Sequence, residues 1–365
     1  MSSRPLYRPE LDVLRFFAFF FVFLHHVLPR EPRDLAAIAP AWRASVASVT
    51  NAFGFGMTLF FLLSAFLITR LLLAEQERTG GLRIGDFYAR RVLRIWPLYV
   101  VGLGIGLALV DPSDGADQMQ MFAWFAGFAG NWFFLDHGWN GNPMAPLWSI
   151  SVEEQFYLVL PVVLTMVGRD RAVGLGVGAM VLSAASLWHQ GDRHLAIDTA
   201  IWVNTATHGL AFGAGIVLAS VSFGRRFVAG AGLRVGLALT GLAALFVAAH
   251  VFEGKRMAEA TSGASVVLGH ATAVLGCVAL VAAVLDTPRA LPRPLVILGR
   301  ISFGLYVFHL LAIRVAGHMA PPGSVAAAIL ALALTIAVAA VSYWGFERWF
   351  LRLREAFVRV EGRPI

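Results

Sequence analysis

The chain has 365 residues, of which 58% are hydrophobic and 14% are charged, whereas soluble domains have about 45–50% apolar and about 25% charged residues. Together with a mean hydropathy of +0.71, this composition excludes an ordinary soluble domain and predicts several membrane spans. The net charge of +7 comes from arginines between apolar segments, as in cytoplasmic loops of membrane proteins, and does not favour a nucleic-acid partner.

Apolar segments that approach the length of a membrane span, about 20 residues, occur along the whole chain. The candidates are residues 11–29, 52–73, 93–110, 119–135, 147–167, 172–189, 200–221, 232–252, 263–285, 296–316 and 324–350. Arginines orient them, because short cytoplasmic loops are enriched in Lys and Arg. The arginine-rich stretches 70–94 and 348–354 are therefore predicted to lie in the cytoplasm.

The candidate at residues 119–135 does not fit this orientation as a complete span. The loops 111–118 and 136–146 are both predicted to lie outside, so the segment between them enters and leaves on one side. It contains Gly127 and Gly130, and non-helical backbone at membrane depth has to be buried in protein. The sequence thus predicts an all-α fold, a polytopic transmembrane helix bundle with about ten spans plus one re-entrant segment and both termini cytoplasmic.

The first apolar segment carries ionisable residues near both ends, in LRFFAFFFVFLHH, residues 14–26. Arg15 and His26 are eleven positions apart, nearly three helical turns, so they share one helix face about 16 Å apart along the axis. Ionisable groups inside a membrane segment usually mark function. The alternative is that Arg15 extends to the cytoplasmic interface while His26 lies at the outer one. His25 lies about a quarter-turn away and need not face the same cavity.

A second cluster lies in LWSISVEEQFYLVLP, residues 147–161, where Glu153 and Glu154 are adjacent near the outer end of a predicted span. One carboxylate of such a pair can face the protein interior while the other meets water or a partner. The alternative is that both charges lie among the lipid headgroups.

Two later spans carry polar residues with helical spacing. Tyr306 and His309 share one helix face, and the alternative for His309 is a histidine satisfied by helix packing. Glu347 lies near the inner end of the last span. The alternative for Glu347 is an ion pair with a neighbouring arginine, Arg348 or Arg352.

Arginines cluster in DFYARRVLRIWPLY, residues 86–99. Arg90 and Arg94 align at a spacing of four, with Arg91 beside them. Guanidinium groups bind phosphate oxygens in bidentate fashion, so this cluster predicts a phosphate site at the cytoplasmic face. The alternative is that the arginines orient the chain and bind anionic lipids.

These segments resemble the acyltransferase 3 family of bacterial integral-membrane acyltransferases, in family order from one end of the chain to the other. The matching pieces are Glu10–Arg15 followed by His26, Leu59–Ile68, Phe87–Pro97, Leu147–Phe156, Leu298–His309 and Ser342–Glu347. The stretch Leu147–Phe156 is the most specific. The departures are Thr58 for a frequent aspartate, Ala65 for a common glycine and Trp349 for a frequent proline. They concern the local packing of the second and tenth spans.

The resemblance implies an O-acyltransferase that moves an acyl group, on family frequency acetyl, from acyl-CoA to a hydroxyl, usually of a sugar or glycan. His26 corresponds to the family's essential first-span histidine, and we expect it to act as the general base. Arg15 corresponds to its partner arginine. Glu153 and Glu154 correspond to the paired glutamates; we expect Glu153, with Glu154 in reserve, to orient the imidazole ring and stabilise its cation.

The family's arginine motif maps to Arg90, Arg91 and Arg94, which are expected to hold the phosphates of CoA. The residues expected to contribute to substrate binding are His25, Trp148, Tyr306, His309 and Glu347. No metal and no permanently bound cofactor is expected, since acyl-CoA is a donor substrate. The expected partners are acyl-CoA, a sugar or glycan acceptor and the lipid bilayer.

We therefore expect a single integral-membrane acyltransferase domain over residues 1–365, multi-pass in the inner membrane, with a short cytoplasmic tail from about residue 351. The SGNH domain that some family members append is not expected. The alternative function is a membrane transporter of a sugar or glycan-type solute, which also keeps buried charges. Transporters with repeated halves show internal symmetry or broken helices in matching halves, and the sequence shows neither.

Overall fold

The computed structural model describes residues 7–110, 115–252, 259–287, 290–321 and 323–358. Within these ranges the chain is mainly helical and has no β-strand, apart from an isolated antiparallel bridge between Ala196 and Glu259. The predicted all-α class is therefore confirmed. Residues 111–114 of the acidic loop and the end of the predicted tail, 359–365, lie outside the described residues.

The contacts between helices divide the chain into two compact units. Unit I consists of the described residues of Met1–Pro9, Ile68–Arg171 and Arg300–Ile365. Unit II consists of those of Glu10–Leu67 and Ala172–Gly299. The helix α3 (Gly56–Thr79) starts in unit II and continues into unit I from Ile68, so Glu75 belongs to unit I.

Unit II contains the first helices and those of the middle of the chain. They are α1 (Pro9–Val27), α2 (Pro40–Phe53), the first half of α3 (Gly56–Thr79), α8 (Ala172–Asp192), α9 (Gly209–Val221), α10 (Ala231–His250), α11 (Gly263–Val284) and α12 (Arg293–Arg300). Pairs that are consecutive in sequence pack together, α8 with α9 and α10 with α11. A methyl group at Gly176 of α8 would come within 2.7 Å of the Gly213 carbonyl of α9, so small residues are what allow these two backbones to approach.

Unit I contains the helices that bear the glutamate pair and the arginine cluster. They are α4 (Ile84–Ala108), α5 (Gly115–Ala126), α6 (Gly130–His137), α7 (Trp148–Val167), α13 (Ser302–Met319), α14 (Val325–Ser342) and α15 (Arg348–Leu353). α4 packs against α7, α13 and α15, and α13 packs against α14. α4 is therefore the helix on which the candidate residues of this unit converge.

Eight helical segments among the described residues are long and apolar enough to cross a membrane. They are Pro40–Thr79, Ile84–Ala108, Ala145–Val167, Arg169–Asp192, Ala231–His250, Gly263–Val284, Ser302–Met319 and Val325–Phe357. The apolar segment Thr205–Val221 is shorter, and α1 contains three charged residues within its 19 residues. Each of the ten predicted spans is helical over most of its length, which supports a multi-pass membrane protein. The count of ten and the cytoplasmic termini stay predictions.

The segment predicted to be re-entrant is broken into two short helices, α5 and α6. The break lies at Gly127–Ala129, where Phe128 adopts a φ of 52°, a left-handed conformation that ordinary residues rarely adopt. Gly130, the first residue of α6, packs directly against the ring of Phe125. The interruption that the glycines predicted is therefore present, and its depth in the membrane stays a prediction.

Candidate functional site

Unit II carries Arg15 and His26 on one face of α1, because the helix is continuous between them. Both side chains are half-buried. Phe19 and Val22, which lie between them on that face, are 0% and 4% exposed. Phe17 on the opposite face is 38% exposed. The face that bears the predicted base is therefore the buried face of α1, and His26 lies where that face becomes accessible.

His25 is held by a backbone group of the neighbouring helix. Its Nδ1–H donates to the carbonyl oxygen of Thr50, on α2, at 3.0 Å, and its side chain is buried. The rings of His25 and His26 meet edge to face, with 5.4 Å between their centroids. His25 thus has a protein partner at Nδ1 and packs beside the ring of His26, and its role in substrate binding stays a prediction.

Unit I carries the two glutamates on α7, and the structure gives them different surroundings. Glu153 is half-buried and accepts a hydrogen bond from the Tyr157 hydroxyl at 2.5 Å. Glu154 is 6% exposed, and its Oε2 accepts from the indole N–H of Trp96 at 3.3 Å. Its Oε1 is buried and has no hydrogen-bond partner in the described part of the chain. Glu154 is thus the carboxylate with an acceptor atom still available.

Trp148 and Tyr306 shape the start of α7. Trp148 is the first residue of this helix and is 4% exposed. The hydroxyl of Tyr306 donates to the carbonyl of Pro146 at 2.8 Å and lies 2.8 Å from the hydroxyl of Ser149. Because this hydroxyl is buried and bonded to protein groups, Tyr306 positions the helix end that precedes the glutamates.

His309 is fully buried on α13, one helical turn after Tyr306. Its Nδ1–H donates to the backbone carbonyl of Tyr306 at 2.6 Å, and its exposed fraction is 0%. This is the helix-packing environment that was the alternative for His309, so a role in substrate binding stays a prediction.

Glu347 is buried at the end of a π-helical turn, Tyr343–Glu347. Its Oε1 accepts from the Ser342 hydroxyl at 2.9 Å, and the charge of Arg94 acts on it. Neither of the predicted neighbours, Arg348 or Arg352, forms an ion pair with it among the described residues. The alternative, a local ion pair, is therefore absent from the described part of the chain.

The three arginines of α4 have three different environments. Arg90 donates from Nη2 to Glu75 at 2.9 Å and from Nη1 to the carbonyl of Phe357 at 2.7 Å. Arg91 lies over the rings of Phe87 and Tyr157, 5.8 Å and 5.7 Å from their centroids. Arg90 is thus bonded to protein groups, and the shared role in phosphate binding stays a prediction.

Arg94, by contrast, makes no side-chain hydrogen bond or ion pair within the described residues. The positive charge of Arg354, near the C-terminal end of the described residues, interacts with that of Arg94.

Two residues of this cluster, Arg354 and Glu75, were not predicted from the sequence. Nothing distinguished Arg354 from the other arginines after the last span, but a single acid within the apolar stretch LLLAEQ could have drawn attention to Glu75.

A group of three or more metal-ligating side chains is not found among the described residues. Unit II carries a histidine on a buried helix face, and unit I carries two unequal glutamates and an arginine cluster. The family model for an acyltransferase domain matches residues 8–344. The chain belongs to the acyltransferase 3 family. This family match spans the helices that carry His26, both glutamates and the arginines of α4.

Relatives of this chain include O-acetyltransferases. The O-acetyltransferase OatA of Staphylococcus aureus (strain NCTC 8325 / PS 47) is 26% identical over 322 residues, 84% of this chain and 50% of that protein. The putative O-acetyltransferase SAS0844 of Staphylococcus aureus (strain MSSA476) is 32% identical over 167 residues, 43% of this chain and 25% of that protein. The chain spans about half the length of OatA. No solved structure matches it.

Proposed function

We propose that this member of the acyltransferase 3 family is an inner-membrane O-acetyltransferase that moves an acetyl group from acetyl-CoA to a hydroxyl of a sugar or glycan. The family match and the relatives named O-acetyltransferase support the reaction class. The observation that carries the proposal is the half-buried His26 at the accessible end of the buried face of α1. A base in that position is protected from bulk water but can be reached by a substrate.

His26 acts as the general base in this proposal. As the acceptor hydroxyl attacks the thioester carbonyl carbon, its proton passes to the imidazole. The tetrahedral intermediate then expels the CoA sulfur, which takes the proton from the imidazolium and leaves as the thiol. The products are the acetyl ester and CoA. His25, fixed by its bond to Thr50, restricts the rotation of the His26 ring, and Arg15 supplies positive charge on the same helix face.

In this proposal a glutamate of α7 contributes negative charge to the transfer reaction. Of the two, Glu154 fits this role better, because its Oε1 is buried without a hydrogen-bond partner in the described residues, whereas Glu153 is bonded to Tyr157. A buried acceptor without a partner is costly, and such atoms in native proteins commonly mark function. Tyr306 and Ser149 contribute by holding the start of α7.

The arginine cluster of α4 binds the phosphates of the donor in this proposal. Arg94 is the principal ligand, because its guanidinium has no protein hydrogen bond in the described structure, and Arg91 lies one turn away. Arg90 contributes indirectly, since Glu75 and the carbonyl of Phe357 each accept one of its N–H donors and hold its guanidinium in place. Guanidinium groups suit this task because they bind phosphate oxygens in bidentate fashion.

Radiolabelled acetyl-CoA tests the proposal directly. Membranes that contain the full chain are incubated with the labelled donor and a panel of glycans, and label in a glycan is measured beside membranes that contain the His26→Ala variant. We expect acceptor-dependent label transfer with the wild-type chain and none with the variant. Uptake of a sugar solute without transfer of label would contradict the proposal and support a transporter.

A further inference from the structure

The chain after the last long helix packs on the arginine cluster. We call residues 348–358 the C-terminal segment; it comprises α15 and a 3-10 turn, Arg354–Phe357. Both parts pack against α4. Arg90 of α4 binds the segment: its Nη1 donates a hydrogen bond to the carbonyl of Phe357 at 2.7 Å. The sequence predicted a cytoplasmic tail here; its described part is folded against unit I, and its cytoplasmic location stays a prediction.

This packing brings a fourth guanidinium to the cluster. Arg354 is half-buried, and its Nε is buried without a hydrogen-bond partner in the described residues. The charges of Arg91 and Arg94 both act on it. Like charges held together in a partly buried position repel each other, and buried donors normally find acceptors.

The neighbouring carboxylates do not form ion pairs with Arg94 or Arg354 in the described structure. Glu75 is taken by Arg90. Glu347 acts on Arg94 by its charge but accepts its hydrogen bond from Ser342. Glu355 is exposed, and its charge acts on Arg354 without an ion pair between the two in the described structure. Within the described residues, neither Arg94 nor Arg354 has a carboxylate at ion-pair distance. The arrangement is that of an anion site whose ligands come from two separate parts of the chain.

We propose that Arg354 joins Arg94 in binding a phosphate group, so that the C-terminal segment forms part of the binding site. This inference rests on the proposed function in one respect, which is that the phosphate belongs to the acyl-CoA donor. Two guanidiniums from different elements can hold one phosphate from two sides, each with paired N–H donors. Arg90 is then a positioning residue, because it fixes the segment that carries Arg354.

The test uses the purified full chain in detergent and measures the binding of CoA by calorimetry. Arg354→Gln should weaken CoA binding about tenfold to a hundredfold, as expected for the loss of a charge-assisted hydrogen bond. Arg352→Gln is the matched control, because Arg352 is exposed on the same segment. S-acetylpantetheine, which lacks phosphates, should bind wild type and Arg354→Gln equally.

Thermal unfolding separates a ligand role from a structural one. Without ligand, Arg354→Gln should melt at the same temperature as wild type or higher, because it relieves repulsion with Arg94. The increase in Tm that CoA produces in wild type should shrink in the variant, since ligand stabilisation depends on affinity. A lower Tm without ligand, together with an unchanged CoA-induced increase, would show a structural role and overturn the proposal.

Nanodiscs distinguish the source of the phosphate. If CoA binding is unchanged in Arg354→Gln but stabilisation by phosphatidylglycerol over phosphatidylcholine is lost, the phosphate is a lipid headgroup and the site itself stands. If neither CoA nor phosphatidylglycerol distinguishes the variant from wild type, the site does not exist. Failure of the proposed function is separate, because it appears as absent acetyl transfer by the wild-type chain, whatever the effect of Arg354→Gln on binding.

Discussion

Arg90 and Glu75 form a salt bridge of 2.9 Å whose side chains are 12% and 5% exposed. It joins the end of α3 to the arginine cluster of α4. The same arginine reaches the carbonyl of Phe357, so one guanidinium connects three parts of unit I. Arg90, which belongs to the predicted phosphate motif, therefore connects α4 to the end of α3 and to the chain at Phe357.

Breaking this salt bridge should destabilise unit I and release the C-terminal segment. Glu75→Gln leaves the guanidinium of Arg90 without its counter-charge, and removal of one partner of a buried pair costs about 3 kcal/mol or more. We expect a lower Tm and faster amide hydrogen exchange in residues 348–358. The matched control is Glu77→Gln, which removes the exposed pair with Arg169 and should cost less than about 1 kcal/mol. Equal effects of the two variants would contradict the structural role of Glu75.

Substitution of the two adjacent histidines should have unequal effects on catalysis. His26→Ala removes the proposed base and should lower kcat by at least about 10²-fold. His25→Gln should have a smaller effect on kcat, because it changes only a neighbour that is bonded to Thr50. The measurement is initial rates of acetyl transfer with purified proteins of matched Tm. A His25 variant as inactive as the His26 variant would reassign the base.

Substitution of the glutamates should show which carboxylate contributes to the transfer reaction. Glu154→Gln should lower kcat about 10²-fold or more, the size of effect typical of a lost electrostatic contribution, with the KM for acetyl-CoA little changed. Glu153→Gln should have a smaller effect on kcat. Steady-state kinetics with varied acetyl-CoA test this order. The reverse order would restore Glu153 as the principal carboxylate, as the sequence alone suggested.

Loss of the Tyr306 hydroxyl should affect stability more than chemistry. Tyr306→Phe removes a buried bond to Pro146 and a contact with Ser149, which should cost about 1–3 kcal/mol. Ser149→Ala combined with Tyr306→Phe should cost less than the sum, because the two hydroxyls share one network. Tyr88→Phe is the control, since it removes an exposed tyrosine–carbonyl bond. If kcat falls more than 10²-fold at unchanged Tm, a magnitude typical of a direct catalytic role, Tyr306 touches the substrate instead.

Much of the fold was predictable because the apolar composition of a short segment is enough to predict a membrane helix. The predicted span at residues 147–167 appears as α7, Trp148–Val167, since an apolar segment in a membrane must satisfy its backbone hydrogen bonds within one helix. The shared face of Arg15 and His26 was equally predictable, because helical periodicity alone sets it. The break at Gly127–Ala129 followed from glycines and from the orientation of the flanking loops.

The difference between Glu153 and Glu154 was not predictable, because it depends on which groups of other elements approach each carboxylate. Trp96, on α4, determines the environment of Glu154. Arg354 likewise joins the arginine cluster only because the C-terminal segment folds back onto α4. Sequence spacing carries no information on such approaches.

By itself, the sequence determined that this chain is a helical membrane protein with the residue pattern of the acyltransferase 3 family, since span composition, helical periodicity and motif order are properties of neighbouring residues. Only the tertiary structure decided that Arg90 is bound to a carboxylate and that Arg94 forms no ion pair within the described residues. That choice depends on contacts between residues far apart in sequence, such as Arg90 with Phe357, which exist only after the helices have packed.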